Sequence, residues 1–158
     1  MDARGRTIKG RFSHAPRPDR IEILSDAPVT VDDSGTIGAV TTPADEGHAE
    51  QLRAARDAGT LVELPRRASV LPGFVDLHIH APQYPQLGKA LDVPLEVWLY
   101  RYTFPLEARY ADLAFAERSY RLLVGDLLAG GTTTALYFAT LHQEATLLLA
   151  AICLELGR

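Results

Sequence analysis

Between Pro72 and Gly157 the sequence alternates strand and helix in an order that leaves one supersecondary arrangement. Phe74–His80 is an apolar run interrupted at Asp76, His78 and His80, and reads as a strand. Ala81–Val93 is a loop punctuated by proline and Gly88. Leu95–Tyr102 and Leu106–Tyr110 read as helical pieces on either side of Pro105. Asp112 is a suitable N-cap for a helix over Leu113–Ala129, whose Leu113, Ala116, Tyr120, Leu123, Val124, Leu127 and Leu128 form one apolar face. Gly130-Gly131 ends that helix. Thr132–Thr140, β-branched and aromatic, reads as a second strand, and Glu144–Leu156 as a last helix with Gly157 past its end. A βαβα order of this kind implies two parallel strands joined by a right-handed crossover. Within the last helix, Cys153 among Leu149, Ile152 and Leu156 reads as a small buried apolar residue.

The preceding residues have a different character. All ten prolines lie between Pro16 and Pro105, so short strands and turns are expected early and regular elements late. Thr7–His14 reads as a strand broken by Ala15-Pro-Arg-Pro. Ile21–Leu24 and Val29–Val31 read as two short strands, Asp32–Gly35 as a turn and Thr36–Val40 as the return strand. Ala44–Ala58 reads as a surface helix stopped by Gly59, with short strands at Leu61–Leu64 and Ala68–Leu71 after it. The chain therefore divides into a small β domain over residues 1–71 and an α/β domain over 72–158.

Charge and cysteine content exclude several functions. With 16 basic and 20 acidic side chains the net charge is −4, and neither half carries a cationic arm. A phosphate-tracking nucleic-acid surface needs clustered cations, so no nucleic-acid partner is expected. The single cysteine, Cys153, rules out an internal disulfide and a cysteine-based zinc site. No apolar run approaches the roughly 18 residues of a membrane helix, and the first residues lack the apolar core of a secretory signal. A cytoplasmic protein with no membrane partner is the expectation. No serine sits in a nucleophile-elbow context.

The chemistry concentrates at His78-Ile79-His80. On a strand, residues i and i+2 share a face, so both imidazoles converge on one point. They lie at the C-terminal end of the strand, where α/β barrels place their active sites. Two neutral imidazoles suit zinc, or alternatively iron. Asp76 shares that face and is a candidate to orient a ligand histidine. Two half-exposed histidines of no function remain the competing reading of the bare triplet. His142, near the end of the second strand, is either an ordinary loop histidine or a contact to the site. His14, between a strand and Pro16, reads as a surface residue.

The stretch Leu71-Pro-Gly-Phe-Val-Asp-Leu-His-Ile-His80 resembles the opening strand of the amidohydrolase superfamily. His80-Ala-Pro-Gln-Tyr84, Leu95-Glu-Val-Trp-Leu99, Tyr102-Thr-Phe-Pro-Leu-Glu107, and Gly131-Thr-Thr-Thr-Ala-Leu-Tyr-Phe-Ala-Thr140 with His142, narrow the resemblance to its guanine deaminase family. The likeness runs from about Ile8 to Arg158.

That resemblance implies a fold and a reaction. The fold is the first two βα units of a metal-bearing (β/α)8 barrel, preceded by part of a small β-sandwich domain. The reaction is zinc-dependent hydrolysis of guanine to xanthine and ammonia, and the full-length protein is expected to be a homodimer. His78 and His80 become metal ligands, and His80, Ala81, Pro82 and Gln83 line the purine pocket. Trp98, Tyr100, Tyr102 and Phe104 are expected to pack the excursion against the barrel mouth.

The resemblance also implies further ligands, two histidines and an aspartate, and a proton-shuttling glutamate on later strands. A complete barrel needs about 250 residues. A chain of 158 is therefore expected to be an N-terminal portion, inactive alone. The alternatives are a non-catalytic fragment, or another aminohydrolase acting on a purine-like or triazine-like heterocycle. A third reading, a small deaminase of the cytidine-deaminase fold, requires His-x-Glu followed by Pro-Cys-x-x-Cys. His48-Ala49-Glu50 supplies the first half, and one cysteine cannot supply the second.

Overall fold

The computed structural model describes residues 2–157. Met1 and Arg158, the outer ends of the two expected domains, lie outside the described residues. The chain forms two compact units that meet in sequence at Pro72 and Gly73.

The first unit is one four-stranded sheet and a helix. Strands β1 (Arg6–Arg17) and β2 (Arg20–Val31) form a long antiparallel hairpin. β3 (Ile37–Val40) pairs antiparallel with β2, and β4 (Leu61–Glu63) pairs parallel with β1, giving the order β3-β2-β1-β4. Helix α1 (His48–Asp57) connects β3 to β4.

Three expectations from the sequence are corrected here. Ala15-Pro16 does not break β1: the ladder skips from His14↔Glu22 to Arg17↔Arg20, and Pro16 sits in that bulge, where no ladder N–H is required of it. Ile21–Leu24 and Val29–Val31 belong to one strand. Its bulge places Ser25 and Asp26 opposite Arg11, and Asp26 takes φ 56° with its carboxylate 2.9 Å from Lys9 Nζ. The Ala68–Leu71 strand reduces to a single bridge, Phe12↔Val70.

The Asp32 turn forms as expected. Its carboxylate accepts from the Ser34 hydroxyl and from the backbone N–H of Ser34 and Thr36, at 2.6, 2.8 and 2.9 Å. These bonds, the Ser34 hydroxyl foremost, hold Asp32 below the usual carboxylate range. Helix α1 begins at His48 and not at Ala44, because Asp45 turns back to accept from Thr42. Gln51 on α1 then bonds Thr30 Oγ1 and the Ala39 carbonyl, tying helix to sheet.

The second unit carries the parallel pair. β5 (Phe74–His80) and β6 (Thr132–Phe138) lie side by side, with Phe74 opposite Thr132 and His80 opposite Phe138. Between them run α2 (Leu95–Trp98), α3 (Phe104–Ala108) and α4 (Leu113–Ala129), and α5 (Gln143–Leu156) follows β6. The core lies on one side of the sheet, where Ala116, Tyr120, Leu123 and Val124 of α4 meet Ala145, Leu149 and Ile152 of α5. Ile79 and Tyr137 pack on it from the sheet, whereas Leu77, Leu136 and Phe138 are exposed on the opposite face. Leu113, expected on the core face of α4, is also exposed.

Candidate metal centre

The β5 ladder slips between Asp76 and Ile79, so Asp76 pairs with Ala135 and Ile79 with Tyr137, and the local step from His78 to His80 builds the site. Ile79 turns to the helices, so His78 and His80 share the other face at the strand's C-terminal end. Their Nε2 atoms lie 3.1 Å apart. Two imidazole nitrogens bound to one tetrahedral zinc at about 2.0–2.1 Å lie about 3.3–3.4 Å apart. The donor pair thus has the spacing one ion requires, to within a few tenths of an ångström. Among the described residues no group of three or more His, Cys, Asp or Glu side chains is positioned to hold a metal ion. Among the described residues Asp76 makes no hydrogen bond to an imidazole; its carboxylate accepts from the His78 backbone N–H at 3.0 Å, within its own strand.

Phe138, from the end of β6, stacks on the His80 ring at 4.8 Å and lies 4.6 Å from the His78 ring. Register brings it there, since His80 and Phe138 are ladder partners. Phe138 lies within the Gly131–Thr140 stretch, and nothing local in that stretch places its ring at the site. Its proximity follows from strand pairing across 58 residues, which no local pattern encodes.

Ala81–Gln86, expected as loop, is a 3₁₀ turn in which Ala81, Pro82 and Gln86 are buried. Three side chains hold it. Gln86 Nε2 donates to the buried Thr103 hydroxyl at 2.8 Å, Tyr84 donates to Asp126 of α4, and Gln83 Nε2 donates to Glu107 Oε1 at 3.1 Å. The bond to Asp126 also raises the pKa of the Tyr84 phenol. Gln83 Nε2 stands 3.4 Å from His80 Nδ1, a long contact for a hydrogen bond. Ala81, Pro82 and Gln83 therefore follow directly on the imidazole pair, with the Gln83 amide beside it.

The aromatic excursion differs from expectation. Tyr100 and Phe104 pack edge to face at 5.3 Å but are exposed, and Trp98 donates to the Lys89 carbonyl. The π-helical segment Leu99–Thr103 turns Thr103 inward, and through it the excursion is anchored to Gln86. His142 caps no bond with its side chain and makes none to the histidine pair. His14 contacts Glu22 across the β1–β2 hairpin, and His48 opens α1 in the other unit.

A cavity of about 240 Å³ is lined by Val124, Leu128, Ala135, Tyr137 and Cys153, on the helix side of the sheet. Burial there, with Cys153 alongside, pushes the Tyr137 phenol up to about 12. Cys153 is half-buried.

Comparison with known proteins agrees with this geometry. Human guanine deaminase is 39% identical over 155 residues, covering 96% of this chain and 33% of the human protein. The Dictyostelium discoideum guanine deaminase is 36% identical, covering 96% of this chain and 35% of its own length. The crystal structure of a guanine deaminase from C. acetobutylicum with bound guanine in the active site superposes with a TM-score of 0.80 at 31% identity, over 96% of this chain and 34% of that one. The chain thus spans about a third of the length of the relatives it matches. Its α/β unit has the fold of the opening βα units of their barrel. Residues 69–157, which hold the imidazole pair, the 3₁₀ turn and both parallel strands, match the amidohydrolase family profile. A chain that carries this strand, this donor pair and this match belongs to the amidohydrolase family.

Proposed function

We propose that this chain is the N-terminal part of a metal-dependent guanine deaminase, which hydrolyses guanine to xanthine and ammonia. The observation that carries the reading is the 3.1 Å spacing of His78 Nε2 and His80 Nε2 at the C-terminal end of β5. Residues 1–71 are read as part of a small β-sandwich domain and 72–158 as the start of the barrel. The full-length protein is read as a cytoplasmic homodimer, with no nucleic-acid or membrane partner. Among the described residues no helix is long and apolar enough to cross a membrane.

His78 and His80 would hold the metal. Zinc, or iron, would supply Lewis-acid chemistry there, the kind that makes water a nucleophile near neutral pH. Phe138 covers one face of the His80 ring and limits its rotation. Ala81 and Pro82, both buried, form a firm floor after the second ligand, and Gln83 presents its amide to the polar edge of the base. The remaining ligands and the proton-shuttling carboxylate are assigned to later strands.

Elemental analysis and xanthine production in the full-length protein test the reading. His78→Ala and His80→Ala are each expected to lose bound zinc and activity. Gln83→Ala is expected to keep the metal and lose mainly guanine affinity, by about 1–3 kcal/mol for an unpaired buried polar group. His48→Ala is expected to change neither. Zinc lost from His48→Ala but retained by His78→Ala would overturn the barrel reading in favour of the small-fold deaminase.

A further inference from the structure

The Glu107 carboxylate has no place in the reaction described above, yet it bonds the residue that meets the base. It stands on α3, and its Oε1 accepts from Gln83 Nε2 at 3.1 Å in a half-buried setting. Among the described residues, the side-chain oxygen Gln83 Oε1 accepts no hydrogen bond. A side-chain amide has a donor end and an acceptor end, which a half-turn about its last torsion exchanges. Beside a carboxylate only one choice is stable. With Nε2 toward Glu107 the contact is a charge-assisted hydrogen bond; with Oε1 toward it, two acceptors would face each other. The backbone is held as well, because the links Tyr84–Asp126 and Gln86–Thr103 anchor the 3₁₀ turn directly after Gln83.

We propose that Glu107 is a positioning residue: it locks the Gln83 amide with its oxygen free, so that the site accepts hydrogen bonds from a ligand edge bearing N–H groups. The inference rests on the deaminase reading, in which that edge is the amidine side of guanine. Glu107 acts through Gln83 and touches neither the base nor the metal ligands. This also gives the helical excursion a role, since α3 carries into the site the group that sets the polarity of its amide.

The test uses the full-length protein with Glu107→Met, which keeps length and removes the acceptor, and Glu107→Gln, whose own amide oxygen still accepts. Gln83→Ala and the Gln83→Ala/Glu107→Met pair complete a double-mutant cycle. Glu107→Met is expected to raise KM for guanine about tenfold, the scale of one charge-assisted bond, with kcat within about twofold and metal content unchanged. Glu107→Gln is expected to stay within about threefold of the parent. In the Gln83→Ala background Glu107→Met is expected to add nothing.

An equal rise in KM with and without Gln83 would overturn the proposal, as would no rise at all in the parent background. A measurement without substrate separates this from failure of the deaminase reading. In protein labelled with ¹⁵N at glutamine side chains, the Gln83 amide pair, assigned by its loss in Gln83→Ala, is expected to shift in Glu107→Met and to hold near its parent position in Glu107→Gln. An unshifted Gln83 pair in Glu107→Met sinks the positioning role whatever the enzyme does. Shifted signals in a parent protein that makes no xanthine would instead sink the deaminase reading, and with it the link to guanine.

Discussion

At the residue scale, Gly73 shows how closely β5 and β6 are fitted at their start. A Cβ built there meets Thr133 Oγ1 at 1.9 Å and Thr133 Cβ at 2.7 Å. A hydroxyl rotor can swing aside, but the Thr133 Cβ is fixed to the neighbouring strand, so the ladder must open. Gly73→Ala is expected to destabilise the protein by about 1–3 kcal/mol, the usual cost of overpacking, as measured by chemical denaturation. Thr133→Gly in the same chain should recover much of the loss, because it removes the atoms that clash. If Gly73→Ala unfolds at the parent midpoint, the strands do not approach as closely as described. The Pro72-Gly73 punctuation is visible in the sequence as a break; that the glycine is needed for contact with Thr133 follows only from pairing across 60 residues.

At the scale of elements, α4 is set by its ends and by its contact with α5. The Asp112 carboxylate accepts from the backbone N–H of Ala114 at 2.9 Å and of Phe115 at 3.3 Å, satisfying two groups that the helix leaves without partners. Asp112→Ala is expected to cost about 0.5–2 kcal/mol in a thermal or urea melt, and Asp112→Asn less, since an amide oxygen still caps. Further along, Arg121 makes two 2.9 Å bonds to Glu155 of α5 and a third to Glu117. The guanidinium holds Glu155 below the usual carboxylate range. A depressed carboxylate stabilises the fold above its unfolded pKa, about 4.3, and the contribution disappears as pH falls through the lowered native value. The melting difference between parent and Arg121→Ala should therefore be present at neutral pH, close in acid below about pH 4, and shrink in high salt, since the pair is exposed. A difference that persists in acid would assign the effect to packing of the Arg121 stem.

For the whole molecule, the uneven distribution of apolar residues is the governing fact. The α4–α5 side of the sheet is covered by the two helices, whereas Val75, Leu77, Leu136 and Phe138 stand exposed on its other face, at 61%, 67%, 50% and 42%. The sheet has two strands, each with one unpaired edge. Apolar faces and open edges of this kind promote association. The 158-residue polypeptide expressed alone is expected to bind a hydrophobic dye, to elute from size exclusion ahead of a monomer, and to make no detectable xanthine. A stable, dye-silent monomer would show that the apolar face is covered in solution, and turnover by the pure chain would show that fewer groups suffice for catalysis.

Much of the second unit was legible from sequence because its signals are local. Period-2 alternation in Phe74–His80, the Asp112 cap and the glycine stops at Gly130 and Gly157 all depend on neighbours within a few residues, and they locate β5, α4 and α5 to within a residue or so. The same alternation puts His78 and His80 on one face without reference to any other strand. Prolines misled the reading of β1 because a bulge, which only the partner strand creates, makes Pro16 harmless. The 3₁₀ form of Ala81–Gln86 was equally hidden, since it is held by Thr103, Glu107 and Asp126, up to 42 residues away. Phe138 beside the imidazoles and Glu107 beside Gln83 are products of strand register and helix placement. Sequence alone determined which residues make up the candidate site and that His78 and His80 share a face of their strand; tertiary structure alone decided what surrounds them, because those contacts join segments whose spacing along the chain carries no periodic signal.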